Sequence, residues 1–113
     1  MSKPRFTRQI PNARSKIRPP QTQDVDGDEV VSVARALGSD TRWQIVRALA
    51  RDTRTIQELT EAVGRSKGTV STHVKQLENA GVAASRFNVS DSGGVEKEVA
   101  LAVDEVTLKL SNR

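Results

Sequence analysis

The stretch from Thr55 to Gly81, TIQELTEAVGRSKGTVSTHVKQLENAG, limits the fold more than any other part of this chain. Thr55 followed three residues later by Glu58 is a capping box, in which each side chain satisfies an otherwise unpaired backbone N–H. Ile56, Leu59 and Val63 then fall at i, i+3 and i+7, one apolar stripe of a helix. Gly64 stands where a helix that turns sharply needs a residue free to take positive φ. Ser66 is the next cap, and Val70, Val74 and Leu77 form a second stripe before Gly81 stops it. Two helices joined by a short glycine turn have the helix-turn-helix outline, whose second helix enters the major groove of DNA.

Helical spacing decides which side chains of that second helix could touch DNA. With Val70, Val74 and Leu77 turned inward, the opposite face is Gly68, Thr72, Lys75, Gln76 and Asn79. Thr69 and Ser71 flank it, and Ser66 and Lys67 stand at its N-terminal end. Hydroxyls, an amide and lysines donate and accept hydrogen bonds to base edges and phosphates. The competing reading is a merely solvated face, but such a face usually carries Glu and Lys pairs, and Glu78 is the only acid on this helix. Gly68 keeps the face small enough for close backbone approach. Arg65 and Lys67 sit at the turn, where a phosphate could meet both their charge and a helix N-terminus. Arg86 and Lys97 lie further on, within reach of an adjacent groove or backbone, and Arg54 is a weaker candidate of the same kind. His73 falls between the core stripe and the outer face and reads as a partly buried structural histidine; a lone histidine is a poor metal site.

The rest of the chain frames this unit. A helix from about Asp28 to Leu37 presents Val30, Val33, Ala34 and Leu37 on one side, with Val31 beside it, and Gly38 ends it. Ser39 or Asp40 caps a second helix reaching Ala50, with Trp43, Ile45, Val46 and Leu49 as a wide apolar face; the single tryptophan reads as core. Arg51 to Arg54 is a polar connector with room for a very short strand. After Gly81 the period changes. Residues 82–89 place Ala83, Ser85, Phe87 and Val89 on one face, residues 90–94 are a turn signal, and Val95, Val99, Leu101 and Val103 share a face in the segment that follows. Two strands around a glycine turn, directly behind such a helix, form a wing. From Asp104 onward the pattern is ambiguous: Val103, Val106 and Leu110 suit a helix, whereas Val106, Leu108 and Leu110 suit a strand.

Charge divides the chain in two. Residues 1–23 hold Lys3, Arg5, Arg8, Arg14, Lys16 and Arg18, all four prolines and no acid, while the remainder has 12 basic and 14 acidic residues. The pI of about 10.0 is therefore a property of the first segment, which reads as a disordered basic arm, either a solubilising tail or a DNA-contacting arm on phosphates or in a minor groove. The acidic run Asp24–Glu29 marks the boundary, leaving one domain at 24–113 with helices at about 28–37, 40–50, 55–63 and 66–80 and a wing at about 82–103. With 35% hydrophobic residues a domain this small buries a modest share of its surface, which favours dimerisation. The absence of cysteine excludes disulfides and thiolate metal sites. No apolar run approaches a bilayer span, no signal-peptide core is present, and the expected location is cytoplasmic.

At this point the sequence resembles the ArsR-type winged helix-turn-helix regulators. The carrying residues are Ala36-Leu37-Gly38-Ser39-Asp40-Thr41-Arg42, similar to the family's "ALGDPTR" opening with Ser-Asp in place of Asp-Pro; Thr55 to Val63, similar to its first motif helix; and Ser66 to Val82, similar to its recognition helix "S-x-x-x-V-S-x-H-L-x-x-L-x-x-A-G-L". The resemblance covers about residues 28–103. It implies a mostly α fold with a small β-hairpin, and dimerisation through the first and last helices, which would use Val30, Val31 and Val33 together with Val106 and Leu110. Metal-sensing members carry cysteines at the positions matching Thr55 and Gln57, and their other ligand pattern is missing from the C-terminal segment here, so no metal and no cofactor is expected. The basic arm is not a family feature.

The expected function is a sequence-specific, DNA-binding transcriptional regulator that works as a homodimer, with repression the family habit. The alternative is a winged helix used as a protein- or RNA-interaction module, which the near-neutral domain favours. One histidine, no cysteine and no glycine-rich phosphate loop leave no catalytic constellation.

Overall fold

The computed structural model describes residues 21–89 and 91–111. Its elements in chain order are β1 (Thr22–Val25), α1 (Asp28–Leu37), α2 (Asp40–Arg51), β2 (Arg54–Thr55), α3 (Ile56–Val63), α4 (Lys67–Asn79), β3 (Ala83–Val89), β4 (Val95–Leu101) and β5 (Glu105–Leu108). All six basic residues of the arm lie outside the described residues. The boundary expected after residue 23 falls inside β1, so Thr22 and Gln23 belong to a strand of the folded unit.

Side chains already legible as caps set the helix starts. Ser39 Oγ accepts from the Arg42 N–H at the head of α2, and Ser66 Oγ accepts from the Thr69 N–H at the head of α4. The capping box is complete: the Glu58 N–H donates to Thr55 Oγ1 at 3.1 Å and the Thr55 N–H donates to Glu58 Oε1 at 2.9 Å. Gly64 closes α3 at φ 68°, ψ 32°, and its N–H donates to the Thr60 carbonyl. A Cβ at that left-handed position would cost roughly 1 kcal/mol or more, and the turn it makes sets the direction of α4.

The core is the meeting point of the predicted stripes. Ile45, Leu49, Ile56, Leu59, Val70, Val74, Leu77 and Val99 are buried in one cluster that joins α2, α3, α4 and β4. Each fully buried aliphatic side chain contributes roughly 1.5–3 kcal/mol of transfer free energy. Trp43 departs from expectation: it is 49% exposed. It precedes Ile45 by two residues, about 200° of helical turn, so it cannot share the face that buries Ile45 and Leu49.

The wing is an antiparallel pair, β3 with β4, from Ala83↔Leu101 to Val89↔Val95, and β2 adds to the other side of β4. Only its root is buried. Val99 packs on the helices while the directly paired Ala84 and Ala100, on the opposite face, are buried as well. Phe87, Val89 and Val95, expected on apolar faces, are 69–76% exposed, because the outer half of the hairpin extends past the helical core.

The ambiguous tail is a strand. β5 pairs in parallel with β1, in the register Thr22↔Glu105 to Val25↔Leu108, and Asp104 accepts a hydrogen bond from the Gln21 N–H at 2.8 Å. The partner that decides between helix and strand is thus β1, more than 80 residues away in sequence. Among the described residues no helix is long and apolar enough to cross a membrane.

Candidate nucleic-acid interface

Val70, Val74 and Leu77 anchor α4 with no exposure at all, which turns Lys67, Gly68, Thr69, Thr72, Lys75, Gln76 and Asn79 outward, while Ser71 is half-buried. The expected and observed faces coincide. Ser66, at the cap, is exposed, and its hydroxyl also donates to Thr69 Oγ1 at 3.0 Å. Thr72 Oγ1 donates to the Gly68 carbonyl at 3.0 Å, so its proton is used within the helix while its lone pairs stay open to a donor. Nothing lies within 4 Å of the place where a Cβ on Gly68 would stand; that surface is bare backbone. Arg65, Lys67 and Lys75 are exposed, and their side chains make no hydrogen bond or ion pair within the described residues.

The acid on this helix is turned away from that face. Glu78 accepts from Ser85 on β3 and takes an ion pair from Lys97 Nζ on β4 at 3.2 Å. This contact fastens the wing to α4. It also uses the charge of Lys97, whose side chain is only 25% exposed. Arg86, the other wing candidate, pairs through Nε with Glu98 at 3.2 Å, a carboxylate shared with the Asn88 amide. Both wing cations are therefore locally compensated, whereas those at the head and middle of α4 are not.

Gln76 has a partner as well. The Arg42 guanidinium donates to Gln76 Oε1 and lies 3.0 Å from His73 Nδ1, while its other donors reach the Ala36 carbonyl at 2.6 Å and the Arg35 carbonyl at 3.1 Å. One side chain thus binds two carbonyls from the last turn of α1, of which that of Arg35 also accepts from the Gly38 N–H, to two residues of α4. His73 is half-buried in this bracket, in line with the structural reading. A cleft of about 390 Å³ opens beside it, lined by Ser32 and Arg35 of α1, Arg42, and Gln76 and Asn79 of α4. Periodicity gives Arg42 no role; the signal that contains it is the A-L-G-S-D-T-R opening. Arg47, Arg51 and Arg54 line a second cleft of about 560 Å³ between α2, β2 and α3, a basic group that no motif marks.

Of the residues expected at a dimer contact, Val33 is 4% exposed and so belongs to the protomer's own interior. Val30 and Val106 are half-buried, and Val31 and Leu110 are widely exposed. Among the described residues no three His, Cys, Asp or Glu side chains are grouped as metal ligands would be.

Residues 39–85 match the family described as bacterial regulatory protein, arsR family. No curated protein matches the chain. Among solved structures, the chain is similar to the homodimeric winged helix-turn-helix DNA-binding domain of Mb0332 from Mycobacterium bovis, a possible ArsR-family transcriptional regulator studied as fragment 1–100. Identity is 27% over 66% of this chain and 65% of that one, with a TM-score of 0.60; this chain therefore spans just under two thirds of that structure. A crystal structure of a 1–100 fragment from the same organism, a possible transcriptional regulatory protein, gives the same identity and TM-score over 75% of its length. The transcriptional repressor BigR from Xylella fastidiosa shares the fold at 22% identity and TM-score 0.55, over 66% of this chain and 68% of that one. Residues 39–85 are thus an ArsR-family helix-turn-helix domain, carried on a winged helix-turn-helix fold.

Proposed function

We propose that this chain is a sequence-specific, DNA-binding transcriptional regulator that acts as a homodimer and represses by occupying its site. The observation that carries the reading is the outward face of α4. Its acid is folded back onto the wing, and what remains outside is Lys67, bare backbone at Gly68, the Thr69 and Thr72 hydroxyls and Lys75, with Arg65 at the turn. A face of this kind suits a helix laid in the major groove, with hydroxyls at base edges and cations at phosphates. Two such units on a two-fold axis engage half-sites about one helical turn apart. Arg86 of the wing is a secondary backbone contact, Lys97 is held back by its ion pair with Glu78, and the basic residues of the arm add further phosphate contacts. The described similarity to a homodimeric DNA-binding domain supports the same reading. No metal or cofactor enters it, and it belongs in the cytoplasm.

A second reading has its own observation: Phe87, Val89 and Val95 form an exposed apolar patch on the wing, which suits an interaction module better than a phosphate backbone. Selection of bound DNA from a random pool separates the two. A palindromic consensus is the expected result, and no enrichment over input would favour the interaction module.

A further inference from the structure

The two-stranded sheet of β1 and β5 is an unfinished element. Isolated two-stranded ribbons are marginal in water, and parallel pairing is normally found buried, yet residues 104, 105 and 107–111 are exposed. In this ladder the N–H groups of Glu105 and Lys109 turn toward β1, reaching the Gln21 carbonyl at 3.3 Å and the Val25 carbonyl at 2.8 Å. Alternation along a strand therefore turns the N–H and C=O groups of Val106 and Leu108 to the opposite edge, where no described strand lies.

The residues along that edge are self-complementary. Glu105-Val106-Thr107-Leu108-Lys109 reads acid, apolar, neutral, apolar, base. Set antiparallel to itself about Thr107, it places Glu105 against the partner's Lys109 and Val106 against the partner's Leu108. The hydrogen-bond parity agrees. Val106 and Leu108, the residues with outward backbone groups, become the hydrogen-bonded pairs, and Thr107 meets its own copy at a non-hydrogen-bonded position on the two-fold axis. Leu108, 39% exposed, would gain an apolar neighbour on the face that already carries the buried Val25.

We infer that two copies of this chain join through the outer edges of their β5 strands, making one four-stranded sheet in the order β1-β5-β5-β1 with its two-fold axis at Thr107. The inference rests on the homodimer named above and assigns its contact to a strand. It fixes the relation between the two recognition helices through a backbone ladder.

The test uses the full chain, which has no native cysteine. A non-hydrogen-bonded antiparallel pair brings Cα atoms to about 4.5 Å, within the span a disulfide accepts. Thr107→Cys should therefore form a covalent dimer under mild oxidation at micromolar concentration, while Asp91→Cys in the wing turn should not. Lys109 Nζ also lies 3.4 Å from Asp24 Oδ2 within the protomer, so the charge reversal begins at Glu105. Glu105→Lys alone should weaken the dimer by about tenfold in sedimentation equilibrium, and adding Lys109→Glu should recover part of that loss. A dimer that Thr107→Cys does not lock and that ignores Glu105→Lys would overturn the strand contact while leaving the homodimer standing. A monomer at tens of micromolar would overturn both. DNA selection reads the regulatory function separately, so failure there does not decide this contact.

Discussion

The Arg42 guanidinium donates to Gln76 on the outer half of the recognition helix while it holds the Ala36 carbonyl of α1 at 2.6 Å. A residue on the expected reading face is thus oriented by a side chain of α2. Gln76 can address a base only in the orientation Arg42 allows, or after release from it. Arg42→Ala should leave the α1 carbonyls without a charged donor and cost about 1–3 kcal/mol, read as a lower midpoint in urea. It should also change base preference at one position of the selected site. An unchanged midpoint would show that the bracket does not hold α1.

Thr72 and Lys75 should separate specificity from affinity. Thr72→Ala removes an acceptor from the centre of the outer face, and discrimination between specific and random DNA should fall by about 1–3 kcal/mol. Lys75→Ala should weaken both equally and lower the salt slope by about 0.9. Competition titrations at several salt concentrations distinguish them, and equal losses from Thr72→Ala would remove it from the reading set.

Gly68→Ala tests close approach without disturbing the fold. The free space around that position accepts a methyl group, and alanine in place of glycine within a helix favours folding by roughly 0.5–1 kcal/mol. The variant should be more stable by thermal melt and bind its selected DNA more weakly. Undiminished binding would mean that the backbone at Gly68 stands away from the groove.

Glu78→Gln should release Lys97 from its ion pair. With that cation free, the salt dependence of DNA binding should steepen by about 0.9 for one added phosphate contact, with base preference unchanged. An unaltered slope would place Lys97 out of reach of the backbone and confine it to fastening the wing.

Removing residues 1–20 stops short of β1 and takes away all six basic residues of the arm. If these meet phosphates, the salt slope should fall by about 0.9 for each phosphate no longer neutralised, with the dimer intact. No change in slope would assign the arm to solubility.

Wherever the deciding contact is local, the sequence alone determined the outcome. The capping box at Thr55 and Glu58, the Ser39 and Ser66 caps, the glycine turn and the stripes of α3 and α4 depend on neighbours within about one helical turn, and all of them stand where the pattern puts them. The outward face of α4 follows from the same 100° periodicity. Tertiary structure decided whatever depends on a distant partner. Trp43 is apolar and stands two residues before Ile45 in sequence, but the helix turns it from Ile45 into the open. Gln76, Lys97 and Arg86 read as free donors and acceptors until Arg42, Glu78 and Glu98 arrive from other elements. Residues 104–110 fit two periods equally well, and only pairing with β1, more than 80 residues away in sequence, settles them as a strand. A short segment has too little internal hydrogen bonding to choose for itself, so the choice falls to the backbone edge that tertiary packing sets beside it.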